Sequence, residues 1–402
     1  MPEATIDHMV ALTVFLAALL LFIGMFNQTI QTAVLYQQHR YIASKCTDML
    51  DNIMLNPGYP TYWGNSNSTP SSFGLQDPEF TQYRLSPFSL MRLASFSGTS
   101  VFYPKTGLWY SNVTLGFGDS LLVPYNEALN YSTASNLLGT NNSFGFQLTI
   151  TPTVTVAISE YQPSNPLILT VNVAGNGFPL PRANLSYCFL TVSTQGGSYP
   201  SYTTSYGTTY TDEQGFAFLS FPQVQDSVTS YALIVYTHLS GLTGVGYHQR
   251  VSSDQQYVIP FINDFSQGTV ILAHSYDVLN LGSPPALYYN ATFVLLTEDF
   301  TLREMPIDNA TGTVGNGQPY GNVKIPTMNP GILVVTYRNS TTQGGIILMP
   351  WGISSLAFSI VFGDNAAGKE WVATDTRQVT VNNIVYQAKL AVWSLQGYGV
   401  TG

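Results

Sequence analysis

The chain has 402 residues, of which only 9% are charged, and a formal net charge of −9. Ser, Thr, Asn, Gly and Tyr replace the charges that normally make up about a quarter of a globular chain, which gives a neutral, hydroxyl-rich surface of the kind found on exported β proteins. The 13 Lys and Arg residues are scattered singly. An acidic chain without a basic patch cannot neutralise phosphates, so nucleic acid is excluded as a partner.

The N-terminus carries the strongest signal. Met9 to Phe26, MVALTVFLAALLLFIGMF, has no charge and one weakly polar residue, Thr13. Asn27 to Gln38 is polar but uncharged, and the first cations after the run are His39 and Arg40. No proline follows Pro2 until Pro57, in the turn sequence Asn56-Pro57-Gly58, which stops a helix. This pattern predicts one helix of roughly 50 residues, about 75 Å long. A bilayer needs about 20 residues. Residues 9–28 therefore suit a membrane span, and the remainder to residue 55 forms a neck. In the neck, Leu35, Ile42, Cys46, Met49 and Ile53 fall on one helical stripe. Ile42, Cys46, Met49 and Ile53 are expected to pack on the β-rich body. A core helix of a globular domain rarely holds 18 uncharged apolar residues. A cleaved secretory signal usually has a cationic start and a small-x-small site, whereas this start carries Glu3 and Asp7.

Residues 56–158 read as an aromatic-rich connector with short helices and the first strands. Pro57-Gly58, Tyr59-Pro60 and Asn65 to Ser72 are turn signals. Pro87 to Phe96 suits a short helix. A second is expected over Tyr125 to Leu138, capped at Asp119 or Ser120, begun by Pro124 and stopped by Gly139. From Phe144 the period changes to two: Phe144, Phe146, Leu148 and Ile150, then Val154, Val156 and Ile158 after Pro152. Alternation continues in Leu167 to Val173, Ala183 to Phe189, Phe216 to Phe221 and Tyr231 to Tyr236, with Ser198 to Thr209 read as a polar loop. Short strands at this spacing predict a β-sandwich over residues 159–249. Residues 250–402 are again β-rich, with buried strands at Thr269–His274, Thr292–Leu296, Ile332–Tyr337 and Ile346–Met349. Arg338 to Gly345 suits a hairpin tip, and Asn382-Asn383 a tight turn inside a second hairpin. The fold class is mainly β: a long N-terminal transmembrane and amphipathic helix followed by β-sandwich domains.

Asn-x-Ser/Thr sequons occur at Asn27, Asn67, Asn112, Asn130, Asn141, Asn184, Asn290, Asn309 and Asn339. Those beyond the helix are glycosylation candidates and favour an outside body. Arg40 and Lys45 follow the span and pull the other way, but the charge rule weakens for large translocated domains. The N-terminus is therefore placed inside and the body outside. The two cysteines, Cys46 and Cys188, are expected to be buried free thiols.

Catalytic signatures are absent: there is no Gly-x-Ser-x-Gly, His-Glu-x-x-His, phosphate-binding loop, Cys-x-x-Cys or dinucleotide fingerprint. His238 and His248 could meet across a hairpin and, with Asp254, bind a metal, but scattered strand histidines are commonly structural. Asp212 and Glu213 have a backbone role available in their turn. Glu298 and Asp299 are adjacent, so a strand would point them apart. No catalytic residue, cofactor or metal is assigned. The many Tyr and Trp residues could stack on glycans.

Two resemblances follow from these residues. Val173-Ala-Gly-Asn-Gly-Phe-Pro-Leu-Pro-Arg-Ala-Asn-Leu185 and Thr211-Asp-Glu-Gln-Gly-Phe-Ala-Phe-Leu219 resemble the motif pair of prokaryotic immunoglobulin-like surface modules. That likeness implies a fold and no activity. The first 55 residues, with the later Phe144-Gly-Phe-Gln-Leu-Thr-Ile-Thr-Pro152, resemble archaeal type IV pilin-like proteins, whose long first helix carries a β-rich head. The chain departs from that family before the apolar run, where Met-Pro-Glu-Ala-Thr-Ile-Asp-His has no Lys or Arg for a prepilin peptidase. The expectation is a membrane-anchored extracellular structural protein, pilin-like, with identical subunits as possible partners through the helix besides the lipid bilayer. The alternative is a monomeric adhesin that binds glycans or surface proteins through its immunoglobulin-like domain. Ala11, Ala17, Ala18 and Gly24 offer small residues for close helix approach.

Overall fold

The computed structural model describes residues 2–395, apart from 81, 95–99, 115–119, 125–126, 141–142, 194–199, 252–257, 279–286, 296, 298, 309–310, 313–320, 340–343 and 353–358. The helix α1 (Pro2–Leu55) runs unbroken for 54 residues, which corresponds to about 80 Å. It ends where the sequence predicts, and Gly58 adopts φ +80° in the turn that follows. The rest of the chain is mostly antiparallel β-sheet, as its alternating segments predict.

A four-stranded sheet receives the end of α1 and is called the neck sheet. Its order is Ile360–Gly363, Phe144–Pro152, Ile384–Ser394, Ala373–Val381. The last two strands form the predicted hairpin, with Asn382 and Asn383 both at positive φ (46° and 69°) as a type I′ turn requires. A seven-stranded sheet runs Ser100–Tyr103, Leu108–Thr114, Ser120–Pro124, Val258–Asp264, Thr269–His274, Asn322–Lys324, Ile307–Asp308. A five-stranded sheet is built on Leu302–Met305, Leu287–Leu295, Gly331–Asn339 and Gly344–Trp351, with Thr311–Gly312 also paired to its second strand. These sheets, the neck and the connector share one apolar core.

Inserted between their strands in sequence is the two-sheet β-sandwich, which has a core of its own. One sheet is Phe216–Phe221, Leu167–Gly175, Val154–Gln162, joined by Phe178–Pro179; the other is Leu242–Arg250, Tyr231–Leu239, Asn184–Ser193, Ser201–Tyr210. Leu167, Leu169, Val171 and Val173 point inward against Leu185, Phe189, Leu233 and Val235, and the Phe189 and Phe221 rings stack at 3.7 Å. The reverse face of the second sheet, through Cys188, Leu190, Ala232 and Ile234, packs on Ile332, Val334, Ile346 and Leu348 of the five-stranded sheet. Each face of that sheet is thus apolar for a different neighbour.

Several expectations are corrected. Ser120–Pro124 is a strand, paired with Leu108–Thr114, rather than the start of a helix. Sheet pairing of Leu121, Leu122 and Val123 overrides the local helix-start preference of Pro124. The expected helix covers only Tyr131–Leu137, and its N-cap is Asn130, whose side chain accepts from Thr133 N–H. Ser201–Tyr210 is a strand of ten residues where a polar loop was expected. Its Thr and Tyr residues are strand formers, but with no aliphatic residue among them the alternation is invisible. The sandwich begins at Val154, not 159, because the chain changes sheet at Thr153. Residues 56–158 and 250–402 are also not separate units: their strands interleave in the neck sheet and the seven-stranded sheet. Local periodicity carries no information about such long-range pairing.

Aromatic side chains fill the space over three strand glycines. Tyr187 lies across Gly207, Tyr337 across Gly345 and Trp393 across Gly145, each pair directly opposite in register. A Cβ at Gly145 would stand 2.4 Å from Trp393 Nε1. Gly145→Val is expected to lower stability by about 1–3 kcal/mol in chemical unfolding, the range for overpacked cores.

Candidate functional site

The candidate site is the helix α1 and the surface that receives it. Its N-terminal part is bare. Met9, Leu20, Leu21, Phe22 and Met25 are exposed, as are the other large apolar residues of this run. The helix is long and apolar enough to cross a membrane, and none of its most apolar window is buried in the protein. Three of its threonine hydroxyls are internally satisfied: Thr13 Oγ1 donates to Met9 O at 2.7 Å, Thr29 to Met25 O at 2.9 Å and Thr32 to Gln28 O at 2.9 Å. Such back-bonding removes the cost of an unpaired hydroxyl in an apolar medium.

The C-terminal part is buried on one stripe. Ile42, Cys46, Met49 and Ile53 are buried, together with Leu50 and Met54, while Leu35 is half-buried. They pack in one core with Leu390, Val392, Val379 and Ala373 of the neck sheet. Cys46 Sγ donates to Leu390 O at 3.4 Å, and burial first, then the nearby Asp375 charge, pushes its thiol up to about 11. Polar contacts flank the stripe. Thr47 Oγ1 donates to Asp375 Oδ2 at 2.8 Å, and Arg377 joins Asp51 Oδ1 at 3.0 Å to Asp375 Oδ1 at 2.8 Å. Higher up, His39 stacks on Trp371 at 4.2 Å. Burial alone would raise the Asp375 carboxyl, but donation from Thr47, Thr376 N–H and Arg377 holds it below its ordinary value. Sequence reading missed Leu50, Met54 and the Asp51–Arg377–Asp375 bridge. Leu50 and Met54 continue the stripe at helical spacing, so periodicity could have found them; the bridge needs a strand more than 300 residues away.

The connector straps this junction. Leu75 N–H donates to Ile53 O at 2.8 Å and Gln76 N–H to Asn56 O at 3.1 Å, which caps two carbonyls at the end of α1. Trp63 Nε1 reaches Pro57 O and Gly74 O. The buried Arg92 of α2 (Pro87–Ala94) gathers the loop: its guanidinium donates to the carbonyls of Trp63, Ser66 and Ser68, and its Nε to Glu127 O at 2.7 Å. Burial lowers the Arg92 pKa to about 10 and raises the Glu127 carboxyl to about 7, with Arg92 opposing the latter.

The glycosylation candidates are dispersed. Asn67, Asn130 and Asn184 are exposed, and Asn290 is half-buried in the second strand of the five-stranded sheet. Asn67 donates to Asp264 Oδ1 at 3.1 Å and Asn130 is occupied as a cap. Asn112 lies in the strand Leu108–Thr114 and Asn339 ends Gly331–Asn339, while Asn141 and Asn309 lie outside the described residues. Asn27 is on the exposed face of α1. No metal cluster forms among the described residues. In the hairpin His238 stands opposite Thr243 and His248 opposite Leu233, so the two histidines do not meet; Asp254 lies outside the described residues. His248 instead faces Glu160 at 3.8 Å, beside Arg250 and the Tyr231 hydroxyl, which donates to Glu160 at 2.6 Å. Asp212 is used by its own turn, accepting from Gln214 and Phe216 N–H. Asp299 is exposed, and Glu298 lies outside the described residues. Cys46 and Cys188 are both free and buried.

No protein-family model matches the chain, and a search of curated proteins gives no match.

Two outcomes test the junction. Ile53→Ala is expected to cost about 2–5 kcal/mol, and Ile53→Asp to cost more, because it buries an unpaired carboxylate. Thermal melts of the full chain check both, and an unchanged melt in Ile53→Asp contradicts the packing argument. Glu127 gives a pH signature. Its folded pKa lies above the ordinary 4.5, so the folded state holds a proton that the unfolded chain releases. Its contribution to stability therefore falls as pH rises from about 4.5 to about 7 and is level above that. Relative to Glu127→Gln, the wild-type melting temperature is expected to drop across that window.

Proposed function

We propose that this chain is a membrane-anchored structural protein of the cell surface, with a β-rich head outside the bilayer and a span that can also serve as a filament core. One observation carries the reading: the helix does not break between its bare apolar part and its buried part. Met9 to Phe26 is exposed, Ile42 to Met54 is locked in the head, and no hinge residue intervenes. A chain built only to tether a domain needs no such rigidity, since a flexible linker would do. A rigid span couples the head's orientation to the membrane, or to neighbouring helices once it leaves the membrane. Van der Waals packing at Ala11, Ala17, Ala18 and Gly24 would then replace lipid contacts. The resemblance to archaeal pilin-like proteins points the same way.

A second reading has one observation of its own. Tyr161 and Phe218 are exposed on the outer face of the sandwich and meet edge-to-face at 5.7 Å. Exposed aromatic faces of this kind suit an adhesin that stacks on sugars or docks on a surface protein.

Carbonate extraction of native membranes is expected to leave the chain in the pellet, and protease added to intact cells to remove the head. Release by carbonate contradicts the anchor. Shearing separates the two readings: filaments containing this chain are expected in the sheared fraction if it polymerises, and a sheared fraction without them favours the adhesin.

A further inference from the structure

The edges of the described sheets are treated unequally. Those of the seven-stranded sheet, Ser100–Tyr103 and Ile307–Asp308, are very short, as is Ile360–Gly363 of the neck sheet. Leu302–Met305 is short and carries Arg303 and Glu304, while Gly344–Trp351 is buried throughout. Ala373–Val381 bears Asp375 and Arg377 and lies against α1. Val154–Gln162 has a charged Glu160 at a register shift, Leu242–Arg250 ends in His248, Gln249 and Arg250, and Phe216–Phe221 is closed by Pro222. These are the ordinary devices that stop a strand edge from recruiting another chain.

Ser201–Tyr210 has none of them. It is ten residues long, uncharged and free of proline, and it pairs with Asn184–Ser193 in unbroken register from Ser201 to Tyr210. Its other edge has no strand partner among the described residues. Tyr206 is 53% exposed and Tyr210 65%. The sequence is also close to a palindrome about Tyr206. Reading outward, Ser205 balances Gly207, Thr204 balances Thr208, Thr203 balances Thr209 and Tyr202 balances Tyr210. An antiparallel two-fold pairing needs that symmetry, because each residue then meets its mirror position on the other copy.

We infer that Ser201–Tyr210 is a homodimerisation edge, which joins two heads by antiparallel pairing with the same strand of a second copy, centred on Tyr206. The pairing sets Tyr206 opposite the partner's Tyr206, Tyr202 opposite the partner's Tyr210 and Thr204 opposite the partner's Thr208. Tyr202, Tyr206 and Tyr210 alternate onto one face, so their side chains form a cross-strand tyrosine ladder, with Thr203–Thr209 pairs on the other face. Gly207 fits within this scheme: its own face is already covered by Tyr187, whose ring leaves no room for a side chain there. Closure is built in, since a two-fold pairing uses both free edges and leaves none to propagate a fibre. The inference does not depend on the membrane reading, since it uses only the head.

The test uses the full chain in detergent micelles. Light scattering is expected to give two chains per particle, and Tyr206→Cys to form a covalent dimer under mild oxidation while the exposed control Val228→Cys does not. Cys188 stands directly opposite Tyr206 in register, so both cysteine variants are made with Cys188→Ala, and Cys46 is buried in the neck. Thr204→Lys with Thr208→Lys sets lysines opposite lysines at two exposed positions. This double variant is expected to weaken the dimer on the order of a hundredfold while keeping the melting temperature that the wild type has when diluted to monomer. A monomer at all concentrations, or equal cross-linking at residues 206 and 228, overturns the inference. So does a dimer that the double lysine variant leaves intact, which would place association in the helix.

Discussion

Everything about this molecule depends on how the last third of one helix is packed. An amphipathic helix half in water is marginal by itself, and its stability comes from burying its stripe. Here Ile42, Cys46, Met49, Leu50, Ile53 and Met54 are withdrawn from water against the neck sheet. Each large apolar side chain so buried contributes about 1.5–3 kcal/mol. The Asp51–Arg377–Asp375 bridge fixes rotation about the stripe but is partly exposed, so it adds direction more than energy. Because the helix continues without interruption toward its exposed apolar half, the same packing that stabilises the head also orients that half.

The chain topology reinforces that junction. The neck sheet takes one strand from before the sandwich and the rest from the end of the chain. The helix packs on the hairpin formed by Ala373–Val381 and Ile384–Ser394, from the far end of the chain. The chain enters the sandwich from that sheet at Thr153, which is bonded to Val385 O, and the sandwich touches the sheet again where Thr243 Oγ1 donates to Asn383 O. Its second face is pressed on the five-stranded sheet through Cys188, Leu190 and Ile234. The head behaves physically as one interlocked body rather than as beads on a linker.

What the sequence discloses follows the range of the interactions. The uncharged run, the neck stripe, the Asn382-Asn383 turn and the alternating strands are local patterns, and the structure has them where the residues put them. Ser120–Pro124 and Ser201–Tyr210 were misread because their neighbours in space decide them. A proline imitates a helix start in the first, and an all-polar composition hides the alternation in the second. The interleaving of residues 56–158 with 250–402, the buried Arg92 with its carbonyl cage and the Arg377 bridge have no local signature at all. At the site, Ile42, Cys46, Met49 and Ile53 were legible as a stripe, but not the surface that covers them.

The central claim is that neck and head form one cooperative unit joined stiffly to the exposed apolar half of the helix. Amide hydrogen exchange of the full chain reconstituted in bilayers measures this directly. The account predicts that residues 42–54 exchange as slowly as the strand Ile384–Ser394 and open only with it. Fast exchange in 42–54 while that strand stays protected would contradict it.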